Sequence, residues 1–492
     1  MGLRARQLGR RGLDRVRHWR RSRIIVWTLV VAQCLGFVSS INALMSTRTP
    51  QGTIAWIVSL NTMPVLAVPA YWVFGRNRFN GYVRARENVE NLFDDEAQTA
   101  IAEAARFVAD VGSSGPALAG QNLAELPYLG GNAVELLVDG EATFADMLAG
   151  IAEARDYILF QFYIVRADDL GRRVADALVE RAGAGVDVWF LYDEIGSQGL
   201  PRAYLRRLEE AGVRVSAFQS TRGRGNRFQL NFRNHRKIVV VDGSVGWVGG
   251  HNVGDEYLGL DPDFPNWRDT HVRVEGPAVL ELQLSFVEDW WWAQEEAIGV
   301  SWRARPSADG DAVVLILPTG PADRLETASL MYQQAIHAAQ NRIWISSPYF
   351  VPDHGVLSAM HLAEKRGVDV RVIIPDVPDS RLVYYSTWAF VDELIDSGVE
   401  IHRYLPGFNH QKVFLVDDRL GGVGTANLDN RSFRLNFEVT ALIQDSDFVT
   451  DVERMFEADF ARSRLMTAEE VAARPLWFRL LARASYLTAP IQ

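Results

Sequence analysis

The chain has 492 residues, 48% of them hydrophobic, so it exceeds the size of one hydrophobic core and two or more folded domains are expected. Its single cysteine, Cys34, excludes a disulfide framework and a cysteine-based zinc site. Residues 1–23 hold nine arginines and one acid, about +8, so the rest of a chain of net charge −10 carries about −18. An acidic body disfavours general nucleic-acid binding, and no nucleic-acid partner is expected.

Two uncharged apolar segments, residues 24–45 and 53–74, follow the basic start. Each is close to the ~20 residues that a helix needs to cross a bilayer. We predict a transmembrane helical hairpin over residues 24–75, with residues 1–23 as a basic cytoplasmic tail that faces anionic lipid. Arginines flank both ends of the hairpin and its loop holds only Arg48. The positive-inside rule then places the rest of the chain in the cytoplasm, as part of a multi-pass protein of the cell membrane.

Two alternatives remain for this region. A cleaved signal peptide would have a shorter apolar stretch and no second one after it, so it is disfavoured. Pro64 and Pro69 would also permit a re-entrant segment that never crosses completely.

The remaining chain contains an internal duplication. His235, Lys237 and Asp242 recur as His410, Lys412 and Asp417, each 175 residues later. The same offset relates Gly249 and Asn252 to Gly424 and Asn427, so a chance repeat is excluded.

The surroundings of the two motifs repeat as well, as apolar strand-length runs that alternate with helix-like stretches. The predicted fold class is therefore α/β, with two pseudo-symmetric halves that meet face to face, each a mixed β-sheet flanked by helices. We place a helical linker at residues 76–125, the first half at 126–305, the second half at 306–470 and an amphipathic tail at 471–492. The tail suits either a membrane interface or docking on the body.

The doubled motif resembles that of the phospholipase D superfamily, and the wider match is to the bacterial cardiolipin synthases. It covers essentially the whole chain and rests on RNHRK at 233–237, GGHNVGDEY at 249–257, WRDTHVRVEG at 267–276, SPYFVPD at 347–353 and NLDNRSFRLNFE at 427–438. One departure is Gln411, where the family usually has a small residue. That side chain either narrows the pocket or points into the fold.

The residues themselves suit chemistry on a phosphodiester. A neutral imidazole is a suitable nucleophile toward an anionic ester, and a second imidazole can manage the proton of the alcohol. Lys237, Lys412, Asn252 and Asn427 would supply donors to the phosphoryl oxygens, so neither a metal nor a cofactor is expected. Buried lysines need such a partner, because an unpaired buried charge is costly.

The resemblance implies that His235 is the nucleophile and His410 the general acid and then base, although the sequence alone does not break the symmetry. It also implies that one acid orients each histidine, and we expect Asp269 to serve His235 and Glu438 to serve His410. Asp242 and Asp417 are expected to stabilise the turn after each strand. His251 and His271 have no counterparts at the offset and are not expected to be catalytic.

The resemblance implies a phosphatidyltransferase of the cardiolipin synthase type. It would join two phosphatidylglycerol molecules reversibly through a phosphatidyl-histidine intermediate, at an anionic phospholipid membrane. The alternatives are a phospholipase D-type hydrolase, transfer to another alcohol, a membrane-tethered nuclease, and a scaffold with a decayed site. The run Trp290-Trp291-Trp292 suits either lipid contact or core packing.

Overall fold

A computed structural model describes residues 2–46, 49–75, 78–79, 81–84, 86, 102–222, 231–262 and 264–492, and within these ranges the side chains from residue 23 to residue 490 and that of Gln492. Of the fifty residues of the predicted linker at 76–125, nineteen lie outside these residues. The chain divides into two compact units, residues 1–79 with 223–231, and residues 80–222 with 232–492.

The N-terminal unit contains three helices, α1 (Gly2–Ser46), α2 (Pro50–Thr62) and α3 (Pro64–Phe74). Within the described residues, only Arg23–Ser46 is long and apolar enough to cross a membrane. The second apolar segment, predicted as one helix, is divided at Met63, whose φ of −133° and ψ of 55° are not helical. Pro64, which lacks an N–H donor, then begins α3 at its favoured first position.

The third helix folds back beside the C-terminal part of α1. The Tyr71 hydroxyl donates to Asn42 Oδ1 at 2.7 Å, and Trp72 Nε1 donates to Ser39 Oγ at 3.1 Å. A straight hairpin would instead bring the end of the second segment close to the start of the first. The polar residues of the apolar segments are thus hydrogen-bonded inside the helical cluster, as a lipid environment requires.

The first half of the body begins after a 3₁₀ turn (Ala105–Phe107). Its strands are β1 (Leu129–Val138), β2 (Tyr157–Phe162), β3 (Asp187–Asp193), β4 (Arg214–Phe218), β5 (Arg233–Asn234), β6 (Ile238–Val241), β7 (Val245–Gly249) and β8 (Thr270–Glu275). The helix before β1, α4 (Pro116–Ala124), packs on the core of the second half. The helices of the first half are α5 (Asp139–Glu153), α6 (Asp169–Gly183), α7 (Arg202–Glu210) and α8 (Val279–Gln294), with a 3₁₀ turn at Asp255–Leu258.

The second half repeats this order. Its strands are β9 (Ala312–Thr319), β10 (Arg342–Ser346), β11 (Phe350–Val351), β12 (Asp369–Pro375), β13 (Glu400–Tyr404), β14 (Val413–Val416), β15 (Leu420–Gly424), β16 (Leu428–Asp429), β17 (Asn436–Gln444) and β18 (Ser463–Leu465). Its helices are α9 (Thr327–Ala338), α10 (His354–Lys365), α11 (Arg381–Ile395), α12 (Asn430–Arg434), α13 (Ser446–Ala461), α14 (Ala468–Ala472) and α15 (Leu476–Tyr486), with a 3₁₀ turn at Ala489–Ile491.

The two halves share one mixed sheet. Across the described residues its order is β18-β13-β12-β10-β14-β15-β17-β9-β1-β8-β7-β6-β2-β3-β4. Counted outward from the β9–β1 junction, equivalent strands of the two halves occupy equivalent positions in the sheet. The halves were expected to meet face to face, and this detail is wrong: β1 pairs antiparallel with β9, so the sheets join edge to edge. Hydrogen bonding between these strands covers an edge that each half would otherwise expose.

Each half has its own apolar core. In the first half Phe160, Phe190 and Leu178 are fully buried between the sheet and its helices, and Val372 and Met360 are equivalent in the second. Such side chains each contribute about 1.5–3 kcal/mol on burial. Trp290 and Trp292 are buried as well, so their role is core packing.

Candidate active site

The two histidine motifs lie immediately before equivalent strands. His235 and Lys237 precede β6, and His410 and Lys412 precede β14. Both motifs lie in the short segments that lead into these strands rather than inside them. All four side chains are buried.

Each histidine is bonded to a carboxylate through Nδ1. His235 Nδ1 lies 2.7 Å from Glu438 Oε2, and His410 Nδ1 lies 2.6 Å from Asp269 Oδ2. The expected assignment of Asp269 to His235 and Glu438 to His410 is therefore wrong, because the pairs are crossed between the halves. With Nδ1 engaged in each ring, Nε2 is the nitrogen left for chemistry.

Strand pairing between the halves explains the crossing. β5, just before His235, runs parallel to the start of β17 and pairs with Asn436 and Phe437. The His235 backbone N–H donates to the Phe437 carbonyl at 2.9 Å, and the His410 N–H donates to the Arg268 carbonyl at 2.8 Å. Each acceptor is the residue just before the acid, so each acid comes to lie beside the histidine of the opposite half.

An asparagine precedes each histidine and fixes the local turn. Asn234 Oδ1 accepts the Arg236 N–H at 3.2 Å, and Asn409 Oδ1 accepts the Gln411 N–H at 3.2 Å. A side-chain amide that accepts a backbone N–H two residues on is a common way to hold such a turn. We did not predict these two residues, although they too are 175 positions apart and the repeat offset therefore contained a signal for them.

The Glu438 carboxylate has two further partners close to it in the sequence. Ser432 Oγ donates to Glu438 Oε1 at 2.8 Å, and Asn436 Nδ2 donates to the same oxygen at 3.1 Å. Burial raises the pKa of Glu438, but His235, Lys237 and Thr425 together outweigh this effect, so the net shift is downward. The carboxylate is therefore held charged in a fixed orientation, as a histidine-orienting acid requires.

The two motifs influence one another electrostatically. Burial lowers the pKa of His235 to about 4, although Glu438 opposes the shift, and Lys412 of the other half adds to it. Burial lowers the pKa of His410 well below its ordinary value, and Lys412, Lys237 and His235 lower it further. Both imidazoles are thus neutral at pH 7, and residues of both halves contribute to one local field.

The two lysines are held in equivalent positions. Lys237 Nζ donates to the His235 carbonyl at 2.7 Å, and Lys412 Nζ donates to the His410 carbonyl. Burial lowers the pKa of Lys237 to about 7 and that of Lys412 to about 8. A bound phosphate would restore the charged forms, because a nearby anion stabilises an ammonium group.

The two asparagines of the motif differ in their contacts. Asn252 Oδ1 accepts the Ile164 N–H at 3.1 Å, and its amide donates to the Tyr257 hydroxyl at 3.1 Å. Asn427 is buried, and its Oδ1 has no hydrogen-bond partner within the described residues. Asn252 therefore also ties its own loop to the segment after β2.

Gln411 points into the fold. Its Nε2 donates to Asp459 Oδ2 at 2.8 Å, and Thr270 Oγ1 donates to its Oε1 at 3.0 Å. Gln411, which stands where the family usually has a small residue, therefore does not narrow the pocket. Its counterpart at the repeat offset, Arg236, forms an ion pair with Asp289 at 3.0 Å.

An arginine lies behind each histidine, but the two arginines do not occupy equivalent positions of the repeat. In the first half it is Arg236, whose guanidinium also lies 5.5 Å from the centre of the Phe437 ring. Behind His410 it is Arg268, a residue of the first half, which binds Asp459 at 3.0 Å and occupies the position that matches Phe437, one before the orienting acid. The constant repeat offset of 175 residues gave no indication that the two arginines come from non-equivalent positions.

The motif aspartates lie in the turns after β6 and β14, but their carboxylates bind the segments that begin β2 and β10 rather than the turns they were predicted to stabilise. Asp242 accepts backbone N–H groups from residues 155–157, and Asp417 from residues 340–342, at 2.7–3.2 Å. Both have positive φ, 50° and 49°, a conformation that Asp tolerates better than most residues. His251 and His271 pair with each other, with 3.1 Å between their Nδ1 atoms.

Aromatic rings that were not among the predicted site residues lie against both histidines. The Tyr163 ring lies 4.9 Å from the His235 ring, and the Trp267 ring lies 5.0 Å from the His410 ring. Within the described residues, no group of three or more His, Cys, Asp or Glu side chains is arranged to hold a metal ion.

Fold and site together define a phospholipase D-type protein, in which two duplicated halves contribute one His–Lys motif each to a shared centre. The family model described as "Cardiolipin synthase, PLD-like domain" matches residues 147–279 and 332–460, one stretch in each half. A phosphatidylserine synthase structure from Haemophilus influenzae Rd KW20 shares the fold, with a TM-score of 0.58 at 16% identity, covering 77% of this chain and 100% of that one.

Curated relatives extend the match over nearly the whole chain. The chain is 46% identical to cardiolipin synthase A of Pseudomonas fluorescens Pf-5 over 95% of this chain and 98% of that protein. The chain is 48% identical to cardiolipin synthase A of Pseudomonas aeruginosa LESB58 over 94% of this chain and 95% of that protein. The chain belongs to the cardiolipin synthase family of phospholipase D-like phosphatidyltransferases. It is an enzyme of phospholipid metabolism that associates with membranes.

Proposed function

We propose that the chain transfers a phosphatidyl group from one phosphatidylglycerol to another, giving cardiolipin and glycerol. The observation that carries the proposal is the crossed arrangement, in which two buried imidazoles are each oriented through Nδ1 by the carboxylate of the opposite half. Two Nε2 atoms prepared in this way suit a displacement at phosphorus that needs one nucleophile and one proton carrier.

In the first step, His235 Nε2 attacks the phosphorus of phosphatidylglycerol, and the bond from phosphorus to the glycerol oxygen breaks. His410, protonated on Nε2, gives its proton to the departing oxygen, so glycerol leaves neutral. The phosphatidyl group remains on His235. Lys237, Lys412 and the amides of Asn252 and Asn427 stabilise the charge on the non-bridging oxygens.

In the second step, a hydroxyl of the second phosphatidylglycerol headgroup attacks the phosphatidyl-histidine, and His410 takes the proton from this hydroxyl. The phosphorus–nitrogen bond breaks, His235 is released neutral, and cardiolipin forms. One phosphodiester is exchanged for another over the two steps, so the reaction is reversible. Because burial lowers the pKa of His410, we expect the anionic substrate to supply the field that lets it carry a proton.

The direct test is incubation of the purified chain with phosphatidylglycerol vesicles in the presence of a divalent-metal chelator. Cardiolipin and glycerol are expected in equal amounts, and both His235→Ala and His410→Ala should abolish them. Phosphatidate without cardiolipin would instead establish a hydrolase. Cleavage of DNA without lipid turnover would establish a nuclease, and unchanged activity in both variants would exclude this site.

The side of the membrane on which the body lies is a separate proposal. Arg76, Arg78, Arg84 and Arg86, directly after the second apolar segment, favour a cytoplasmic body. The nine arginines of residues 1–23 favour the same side for the tail, which would require two complete crossings. The fold-back of α3 favours one crossing, so the two features conflict. Labelling of Asn80→Cys in a Cys34→Ser background, from outside intact cells, decides the matter. A cytoplasmic body predicts no labelling by an impermeant maleimide.

A further inference from the structure

The C-terminal helix α15 has one face packed on the body and one face uncovered. Phe478 is buried, and its ring lies 5.3 Å from that of Tyr385 and 5.4 Å from that of Trp388 on α11. Ala482 and Ser485, on the same side of α15, are buried as well. The helix is therefore a docked element of the fold rather than a loose tail.

The opposite face of α15 exposes large apolar side chains. Leu476 is 71% exposed, Trp477 62%, Leu480 62% and, one residue beyond the helix, Leu487 78%. These are among the most exposed apolar side chains of the body. Exposed apolar residues that occur singly are ordinary, but a contiguous group on one helix face marks an interaction surface.

Basic residues flank this apolar face. Arg479 and Arg483 are exposed on α15, and Arg483 forms an exposed ion pair with Asp392 at 3.1 Å. Arg381 and Leu382 are exposed in the first turn of α11, the helix against which α15 packs. A helix that combines exposed Trp and Leu with Arg along one edge has the composition of an element that lies in the interface of an anionic bilayer.

The beginning of α11 connects α15 to the active site. Asp379, two residues before α11, accepts a hydrogen bond from the Tyr349 hydroxyl and acts electrostatically on Lys412. Tyr384, within the first turns of α11, packs against Phe478 at 6.4 Å between ring centres. The buried face of α15 is thus linked to the site through α11 and the short loop before it.

We propose that the outer face of α15, formed by Leu476, Trp477, Leu480 and Leu487 with Arg479 and Arg483, inserts into the surface of an anionic phospholipid bilayer. A second copy of the chain would be a poorer occupant, since it would bring the arginines of two copies together. The body as a whole is acidic, so a basic, apolar surface is where it can approach an anionic membrane without repulsion. The proposal does not depend on which phosphatidyl acceptor the enzyme uses.

The test uses the full-length chain in a Cys34→Ser background, with an environment-sensitive NBD probe on Leu480→Cys. A matched probe on Glu209→Cys reports an exposed helix position in the first half. In phosphatidylglycerol vesicles, the Leu480 probe should shift to the blue and lose at least about half of its emission to lipids with a quencher on the acyl chain. The Glu209 probe should change in neither respect.

Three results would overturn the proposal. The Leu480 probe could remain as solvent-exposed as the Glu209 probe in vesicles. It could shift equally in detergent micelles without phosphatidylglycerol and in a concentration-dependent manner, which would identify contact between copies. It could also respond equally in uncharged phosphatidylcholine vesicles and be unaffected by Arg479→Glu with Arg483→Glu, which would remove the electrostatic basis. Each readout is a fluorescence property, so none depends on catalytic turnover.

Discussion

The His235 imidazole is bonded to Glu438, 203 positions further along the chain, at 2.7 Å between Nδ1 and Oε2. The equivalent bond of His410 runs to Asp269, 141 positions earlier. Each histidine thus depends on the opposite half for the tautomer and orientation of its ring. This relationship determines which variants should resemble one another.

Glu438→Gln should behave like His235→Ala, and Asp269→Asn like His410→Ala. A phosphatidyl ester of p-nitrophenol separates the two roles, because this leaving group needs no protonation. With His235 as nucleophile, Asp269→Asn should keep the first release of p-nitrophenol, while Glu438→Gln should lose about 10²–10⁴-fold in its rate. The measurement is rapid-mixing absorbance. A nitrophenol burst that survives Glu438→Gln but not Asp269→Asn would assign the nucleophile to His410.

For the p-nitrophenyl ester, whose leaving group needs no proton from His410, the pH profile of kcat/KM should be displaced from that of an ordinary histidine enzyme. Burial lowers the pKa of His235 to about 4, so the nucleophile is lost only as pH falls below this value. Burial lowers the pKa of Lys237 to about 7, so phosphate binding should weaken as pH rises through 7 to 8. Lys237→Arg, which does not titrate in this range, should move the alkaline limb to higher pH.

A matched measurement on kcat gives the control for this profile. Bound phosphate stabilises the ammonium form, so the alkaline limb of kcat should lie above that of kcat/KM. An alkaline limb unchanged in both Lys237→Arg and Lys412→Arg would assign it to another group.

The exchanged cations behind the histidines can be tested by recreating one half in the other. Gln411→Arg alone places a second guanidinium beside Arg268 and Asp459 and should destabilise the fold by about 1–3 kcal/mol. Adding Arg268→Phe reproduces the pair found beside His235, Arg236 and Phe437, and should recover much of this loss. Thermal unfolding of the two single variants and the double variant gives the coupling energy. Strictly additive losses would show that the arrangement around Asp459 is not interchangeable with that around Asp289.

The buried pair His251 and His271 should make the body sensitive to acid. Burial lowers the pKa of both to about 3, while the unfolded chain binds protons at these groups near pH 6.5. The unfolded state therefore binds more protons between pH 6.5 and 3, and stability falls as pH falls through this window. His251→Gln, which cannot titrate, should flatten the dependence of the unfolding temperature on pH. An equally steep curve in this variant would trace the acid sensitivity to other groups.

The path of the second apolar segment can be tested with cysteine pairs in the Cys34→Ser background. Ser39 is hydrogen-bonded to the far end of the Trp72 side chain, so Ser39→Cys with Trp72→Cys should be joined by a short bis-maleimide reagent. In a straight hairpin, Trp72 would instead lie near the start of the apolar part of α1, and Trp27→Cys with Trp72→Cys would be the pair that cross-links. Gel mobility of the treated full chain distinguishes the two paths.

The fold class and the four basic site residues could be predicted from the sequence because the duplication repeats the motif at a constant spacing of 175 residues. The constant offset identified His235 and His410 together, and the buried position of Lys237 and Lys412 made sense only beside an anion. The pairing of acids with histidines was not accessible. It depends on β5 pairing with β17 across the halves, and such contacts leave no local periodicity.

Two other details were lost for related reasons. The orientation of Gln411 is set by Asp459, which lies 48 positions away, and no sequence pattern near Gln411 predicts this orientation. The division of the second apolar segment at Met63 depends on packing between helices, although Pro64 marked the place. Composition revealed that the segment is apolar but contained no information about its direction.

The crossed carboxylates also constrain how such a protein can change over evolutionary time. A substitution at Glu438 in one copy of the duplicated unit disables the imidazole in the other copy. Neither copy can therefore lose its function while the other remains active. A half excised from the chain would keep its histidine but lose the acid that orients it. Such a fragment would regain a complete centre only by associating with an identical fragment about a two-fold axis, and that symmetric pair is the simplest ancestor of the present single chain.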